Sequence, residues 1–124
     1  MIPYRKTLVT AFYCLPWLLL QNAPVSAHAI LVKANPEKES SVTNRPDEIL
    51  LTFNEGVGTE YLALAVSDST GQRVDKHDAH LDFMDHSRLK ASLNPLSPGH
   101  YTVRYRVLSA DGHVVSGKYF FDIK

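Results

Sequence analysis

The residues best able to do chemistry stand near the two ends of an otherwise plain, alternating sequence: His28 on one side, and Asp111 and His113 of Ser109-Ala110-Asp111-Gly112-His113 on the other. A histidine that begins a chain offers two nitrogens, its α-amine and its imidazole Nδ1, which can close one chelate ring on a single metal ion. An amine with a pKa near ~8 releases its proton readily to a metal such as copper(II). Asp111 and His113 are two positions apart, and Gly112 between them permits a tight turn that could aim both side chains at one point. Added to the His28 chelate, a carboxylate and a second imidazole make an N₃O donor set, which suits a tetragonal copper(II) centre. Glu55, just past an apolar alternating stretch, is a further candidate. It could accept from an imidazole N–H or a bound water, or act as a distant axial ligand. Each feature also has a plain reading: Asp-Gly is a common hairpin pair, and Glu55 could be a solvated carboxylate at a turn.

The His28 chelate exists only if the chain is cut before it. Arg5 and Lys6 precede a mostly apolar run from Leu8 to Leu20, and Val25-Ser26-Ala27 follows with small residues where a signal peptidase reads. This is the form of a secretory signal peptide, residues 1–27. The run is short of the roughly 20 apolar residues that span a bilayer, and Pro16 interrupts it, which argues against an uncleaved anchor. Cleavage after Ala27 is therefore expected. It leaves a mature domain over 28–124, 124 − 27 = 97 residues long, with 11 basic residues after loss of Arg5 and Lys6 against 13 acidic ones. The only cysteine, Cys14, leaves with the signal, and Phe12-Tyr13 before it is not a lipoprotein pattern. A cysteine-free exported domain of this size depends on its core, helped by whatever it binds. With a formal charge of 0 for the whole chain and 11 − 13 = −2 after cleavage, no strong field points to nucleic acid or to an acidic membrane surface, and Arg104 and Arg106, which alternate away from the aromatic face, read as solvated sheet residues in preference to an anion site.

Short alternating segments must position these residues. Ala29 to Ala34 reads as extended and stops at Asn35-Pro36. Glu48 to Asn54 places Ile49, Leu51 and Phe53 on one face. Tyr61 to Val66 is apolar and ends in the polar turn Ser67 to Gly71. Arg88 to Leu93 is closed by Asn94-Pro95. His100 to Leu108 places Tyr101, Val103, Tyr105 and Val107 on one face, and Lys118 to Ile123 is a final aromatic-rich strand. Period-two alternation of β-branched and aromatic residues predicts strands. With no helical window competing, the fold expected is an all-β, two-sheet antiparallel sandwich of about seven strands. Val42 and Gln72 to Val74 are poorly defined.

These segments resemble the CopC/PcoC family of periplasmic copper-binding proteins. The resemblance is carried by His28-Ala29 after the signal, Asn35-Pro36, Leu51-Thr52-Phe53-Asn54-Glu55, Pro98-Gly99-His100-Tyr101-Thr102-Val103 and, above all, the run Tyr105 to Gly117 with its Asp111-Gly112-His113 centre. It covers essentially all of the mature chain. It implies an immunoglobulin-like or cupredoxin-like Greek-key fold and one copper(II) ion held by His28, Asp111 and His113, with Glu55 associated. It also implies a periplasmic role as a copper carrier in resistance, homeostasis or uptake, often beside an inner-membrane CopD-type protein. Some members carry a second, copper(I) site in a methionine-rich loop. Here only Met84 survives cleavage, and one thioether builds no such cluster, so the single-site type is expected.

Two further readings are weighed. Lys76 to His86 holds His77, His80 and His86 with three aspartates and Met84, and reads as a polar solvated loop in preference to an auxiliary copper or zinc site. An N-terminal histidine with a second histidine is also the histidine brace of copper-dependent monooxygenases, which keep a coordination position open for oxygen. Asp111 would fill a position there, and no nucleophile–base pair is evident, so a carrier is expected rather than an enzyme.

Overall fold

A computed structural model describes residues 28–124; the expected signal peptide lies outside the described residues. Eight strands run in chain order: β1 (Leu31–Asn35), β2 (Ser40–Val42), β3 (Glu48–Phe53), β4 (Ala63–Ser67), β5 (His80–Leu81), β6 (Arg88–Ser92), β7 (Gly99–Leu108) and β8 (Val114–Ile123). They form two four-stranded sheets, ordered β1-β3-β6-β5 and β2-β8-β7-β4. The expected all-β, immunoglobulin-like sandwich is what the chain adopts.

The alternation explains the layers. Ile49, Leu51 and Phe53 of β3 are buried while their neighbours are not, and Tyr101, Val103 and Val107 do the same on β7. These faces, with Tyr119 and Phe121 of β8, close on one another as the core. Each such side chain removed from water contributes on the order of 1.5–3 kcal/mol. Tyr101 stacks on Phe121 with ring centroids 5.4 Å apart, and the Tyr119 hydroxyl donates across the sandwich to the Pro36 carbonyl at 3.0 Å.

Several boundaries differ from the sequence expectation. β1 begins at Leu31, two residues late, because the N–H groups of Ala29 and Ile30 donate to the Ser109 and Asn54 side chains instead of to a strand partner. β4 begins at Ala63, because Tyr61 is in a left-handed turn with φ 60° and is exposed. β8 begins at Val114, four residues earlier than Lys118, since β7 and β8 pair along their whole length from Gly99–Ile123 to Leu108–Val114. The strand count is eight because β2 and β5 are short additions. β2 runs parallel to β8, a pairing set by packing that alternation cannot announce.

The undefined Gln72 to Val74 segment is organised by a buried carboxylate. Asp75, 1% exposed, accepts from the backbone N–H of Val66 at 2.9 Å and of His77 at 3.1 Å. Two of the three Arg73 guanidinium nitrogens donate to it, Nε at 2.8 Å and Nη2 at 2.6 Å. Burial works to raise its pKa, but Arg73 and the two N–H donors outweigh that and bring it down to about 2. A buried charge is tolerable when paired and hydrogen-bonded in this way.

Candidate metal centre

β7 and β8 join through a tight hairpin at one end of the sandwich. The Gly112 N–H donates to the Ser109 carbonyl at 3.0 Å and the Ser109 N–H to the His113 carbonyl at 2.8 Å. Gly112 sits at φ 90°, where a side chain would be strained. This is a three-residue hairpin loop whose glycine supplies the left-handed position. The His113 N–H donates to Asp111 Oδ1 at 3.1 Å, so the aspartate turns back on its own loop.

His28 reaches the same place from the start of the domain. The Ala29 N–H donates to the Ser109 hydroxyl at 2.9 Å. The next residue is pinned twice: the Ile30 N–H donates to Asn54 Oδ1 at 2.8 Å, and the Asn54 N–H donates to the Ile30 carbonyl at 2.9 Å. His28 therefore enters on a fixed path.

The three side chains converge. His28 Nδ1 lies 2.9 Å from Asp111 Oδ2, and His113 Nδ1 lies 3.2 Å from Asp111 Oδ1. The two imidazole rings meet edge to face with centroids 4.9 Å apart. One donor atom from each residue lies within 4.8 Å of the other two, and this is the one cluster of three or more metal-ligating side chains among the described residues. The carboxylate is the sheltered member, with its side chain 18% exposed against 51% for His28 and 65% for His113, so the imidazoles face solvent and an ion can enter. Desolvation acts to raise the Asp111 pKa, but the His113 backbone and ring, the Ser109 hydroxyl and the nearby His28 together hold it below the ordinary carboxylate range. Asp111 is thus an anion at neutral pH, as a ligand must be.

Glu55 is at the same end, but its carboxylate is turned to the hairpin. Its Oε2 accepts from the Ala110 N–H at 2.8 Å and from the Ser109 hydroxyl at 3.3 Å, and it is not a member of the three-residue cluster. The Ser109 hydroxyl, 3% exposed, thus relays between the N-terminal segment and Glu55. Sequence reasoning gave neither Ser109 nor Asn54 a role. The one available signal was position: each is a small hydrogen-bonding residue immediately beyond the last residue of a long alternating strand.

The histidines of the Lys76 to His86 segment do not gather. His80 Nδ1 contacts the Asp78 carbonyl at 2.8 Å, Asp82 is engaged by Lys90 at 3.1 Å, and Asp85 by the Ser87 hydroxyl at 2.6 Å. His80 and Leu81 form β5 instead of a fully solvated loop.

Fold and site together define an immunoglobulin-like β-sandwich that assembles an imidazole–carboxylate cluster at one end. Residues 31–124 match the CopC domain family, and the chain belongs to that family. It is 35% identical over 106 residues to Protein YobA of Escherichia coli (strain K12), covering 85% of this chain and 86% of that one. It is 33% identical over 98 residues to the Copper transport protein CutJ of Bacillus subtilis (strain 168), covering 78% of this chain but 18% of that longer protein. Among solved structures, CopC from Methylosinus trichosporium OB3b superposes with a TM-score of 0.72 at 36% identity, covering 78% of this chain and 94% of that one.

Proposed function

We propose that the chain, cut after Ala27 and beginning at His28, is a periplasmic copper(II)-binding protein that takes one ion per molecule and sequesters or delivers it in copper resistance, homeostasis or uptake. The observation that carries this reading is the convergence of His28, Asp111 and His113 donors within 4.8 Å. In the mature chain the His28 α-amine adds a second nitrogen beside Nδ1. Two imidazoles, an amine and a carboxylate then make an N₃O set with the preference of copper(II) for tetragonal nitrogen and oxygen ligation. Glu55 supports the site from outside by holding Ala110 and Ser109; outer partners of this kind orient ligands.

The carrier reading is favoured over a monooxygenase by the anionic carboxylate, which fills a coordination position and stabilises the higher oxidation state. The family membership and the name of the CutJ relative support copper as cargo; a CopD-type inner-membrane transport protein is the recipient or donor that this reading expects.

Chelator-competition titration of the mature protein and of Asp111→Ala and His113→Ala tests this. One copper(II) per wild-type chain is expected, with each variant weakened at least about 10-fold. Variants that bind as tightly as wild type would refute the ligand assignment.

A further inference from the structure

The outer face of the β2-β8-β7-β4 sheet carries a charge pattern that neither the fold nor the copper site requires. Arg104 of β7 stands directly opposite Lys118 of β8, and Arg106 opposite Ser116. On the other flank, Ala65 of β4 faces Arg104 and Ala63 faces Arg106. Like charges directly opposite one another destabilise a sheet, yet two cations are paired here and a third stands one outward position along. All three are exposed. None makes an ion pair among the described residues, where every recorded salt bridge lies elsewhere. The nearest acid on this outward row is Asp122 at its far end, already held by His100 at 2.6 Å. Residues 28–124 have a formal charge of 11 − 13 = −2, so the stripe runs against the balance of the domain.

We infer that this face is an electrostatic docking surface for an anionic phospholipid bilayer. The patch is an open shallow face, lined between its cations by Ala63, Ala65, Ser116 and Gly117 and by the half-buried Tyr105 that lies against Gly117. A protein partner would be expected to find a free large apolar anchor at the centre of its footprint; here the aromatics are already engaged, Tyr105 against Phe53 with centroids 5.6 Å apart and Phe120, the next outward residue after Lys118, stacked on His100 at 5.2 Å. A plane of phosphates needs no such anchor: it attracts exposed Lys and Arg through its surface potential. At the rim, Tyr61 is 60% exposed, and its carbonyl accepts from Arg106 Nε at 3.0 Å. Tyrosine beside arginine suits the headgroup level of a bilayer. The same row continues to Leu108 and Val114, and Val114, 52% exposed, adjoins His113. Docking by this face would bring the imidazole–carboxylate end to the membrane surface, where a membrane-bound recipient would stand. The docking itself does not depend on the copper reading.

Co-sedimentation of the protein beginning at His28 with phosphatidylglycerol-containing vesicles, against pure phosphatidylcholine vesicles, at low and at 0.5 M salt (about 4 Å screening length), tests it. Binding to the anionic vesicles, released by salt, is expected. Arg104→Gln/Arg106→Gln/Lys118→Gln should weaken partitioning on the order of 100-fold, since each cation near such a surface contributes about fivefold. Lys33→Gln/Lys38→Gln/Lys76→Gln, which changes net charge equally at other exposed positions, should stay within about threefold of wild type. No preference for anionic vesicles at low salt, or equal loss in both triple variants, would overturn the proposal. Retention on immobilised polyglutamate lost only in the first variant, without vesicle binding, would also overturn it, in favour of an acidic protein partner.

Discussion

The buried Ser109 hydroxyl accepts a hydrogen bond from the Ala29 N–H at 2.9 Å, tying the residue after His28 to the residue that opens the Asp111–His113 hairpin. Two stretches 80 positions apart meet through one oxygen. The same oxygen contacts Glu55 Oε2 at 3.3 Å, so one hydroxyl couples the three segments that surround the cluster.

Ser109→Ala removes that coupling and leaves the Ala29 N–H without its partner in a buried place. A loss of about 1–2 kcal/mol in stability is expected in denaturant unfolding of the metal-free protein. Copper(II) affinity should fall about 10-fold in chelator competition, with one ion still bound, because the ligands survive while their placement loosens.

Glu55→Gln keeps an oxygen that can accept from Ala110 and removes the charge. The copper(II) spectrum should be unchanged and affinity should stay within about threefold of wild type, since an orienting hydrogen bond survives the change. Glu55→Ala should weaken binding about 10-fold. A changed electron paramagnetic resonance signal in Glu55→Gln would make Glu55 a direct ligand.

Gly112→Ala places a methyl group where nothing lies within 4 Å, so its cost comes only from the backbone at φ +90°. About 1–2 kcal/mol is expected. Relaxing that strain would open the turn aiming Asp111 and His113, so weaker copper binding should accompany lower stability, measured by unfolding and titration on the same preparation.

Asp75 sets part of the acid limit. Its folded pKa of about 2 is below the unfolded value near ~3.9, so the folded state binds its proton less readily. Its contribution is fully present above about pH 4 and is lost as pH falls through about 2. Metal-free Asp75→Ala should be destabilised by about 2–4 kcal/mol at pH 7, through two orphaned N–H donors and the loss of the Arg73 pair. The gap to wild type in melting temperature should narrow below pH 4. A gap that stays constant down to pH 2 would show that the carboxylate charge contributes nothing.

The parts of the fold legible in the sequence were those where one strand face is buried and the other is not. Ile49-Leu51-Phe53 and Tyr101-Val103-Val107 wrote their faces plainly. β2 and β5 were not legible: three and two residues long, they exist because a neighbouring strand leaves a ladder open. The sequence reading starts the last strand at Lys118, past the small pair Ser116-Gly117, whereas Gly117 packs in the strand beneath Tyr105, whose Cζ would lie 2.6 Å from any Cβ there. Tyr61 read as strand because composition does not reveal a left-handed φ. At the site, residue types singled out His28, Asp111 and His113, since few side chains bind metals. Ser109 and Asn54 stayed hidden, because a hydroxyl or amide that positions a ligand looks like any other turn residue until the chain ends meet.

The most direct measurement compares copper(II) titration and electron paramagnetic resonance for protein beginning at His28 with protein carrying one extra alanine before it. The extra residue removes the free α-amine of His28 and keeps every side chain. One tight equivalent with a nitrogen-rich tetragonal spectrum is expected for the first, and weaker binding with an altered spectrum for the second. Equal affinity and identical spectra would show that the amine is not a ligand, and no tight binding by either would contradict the copper assignment itself.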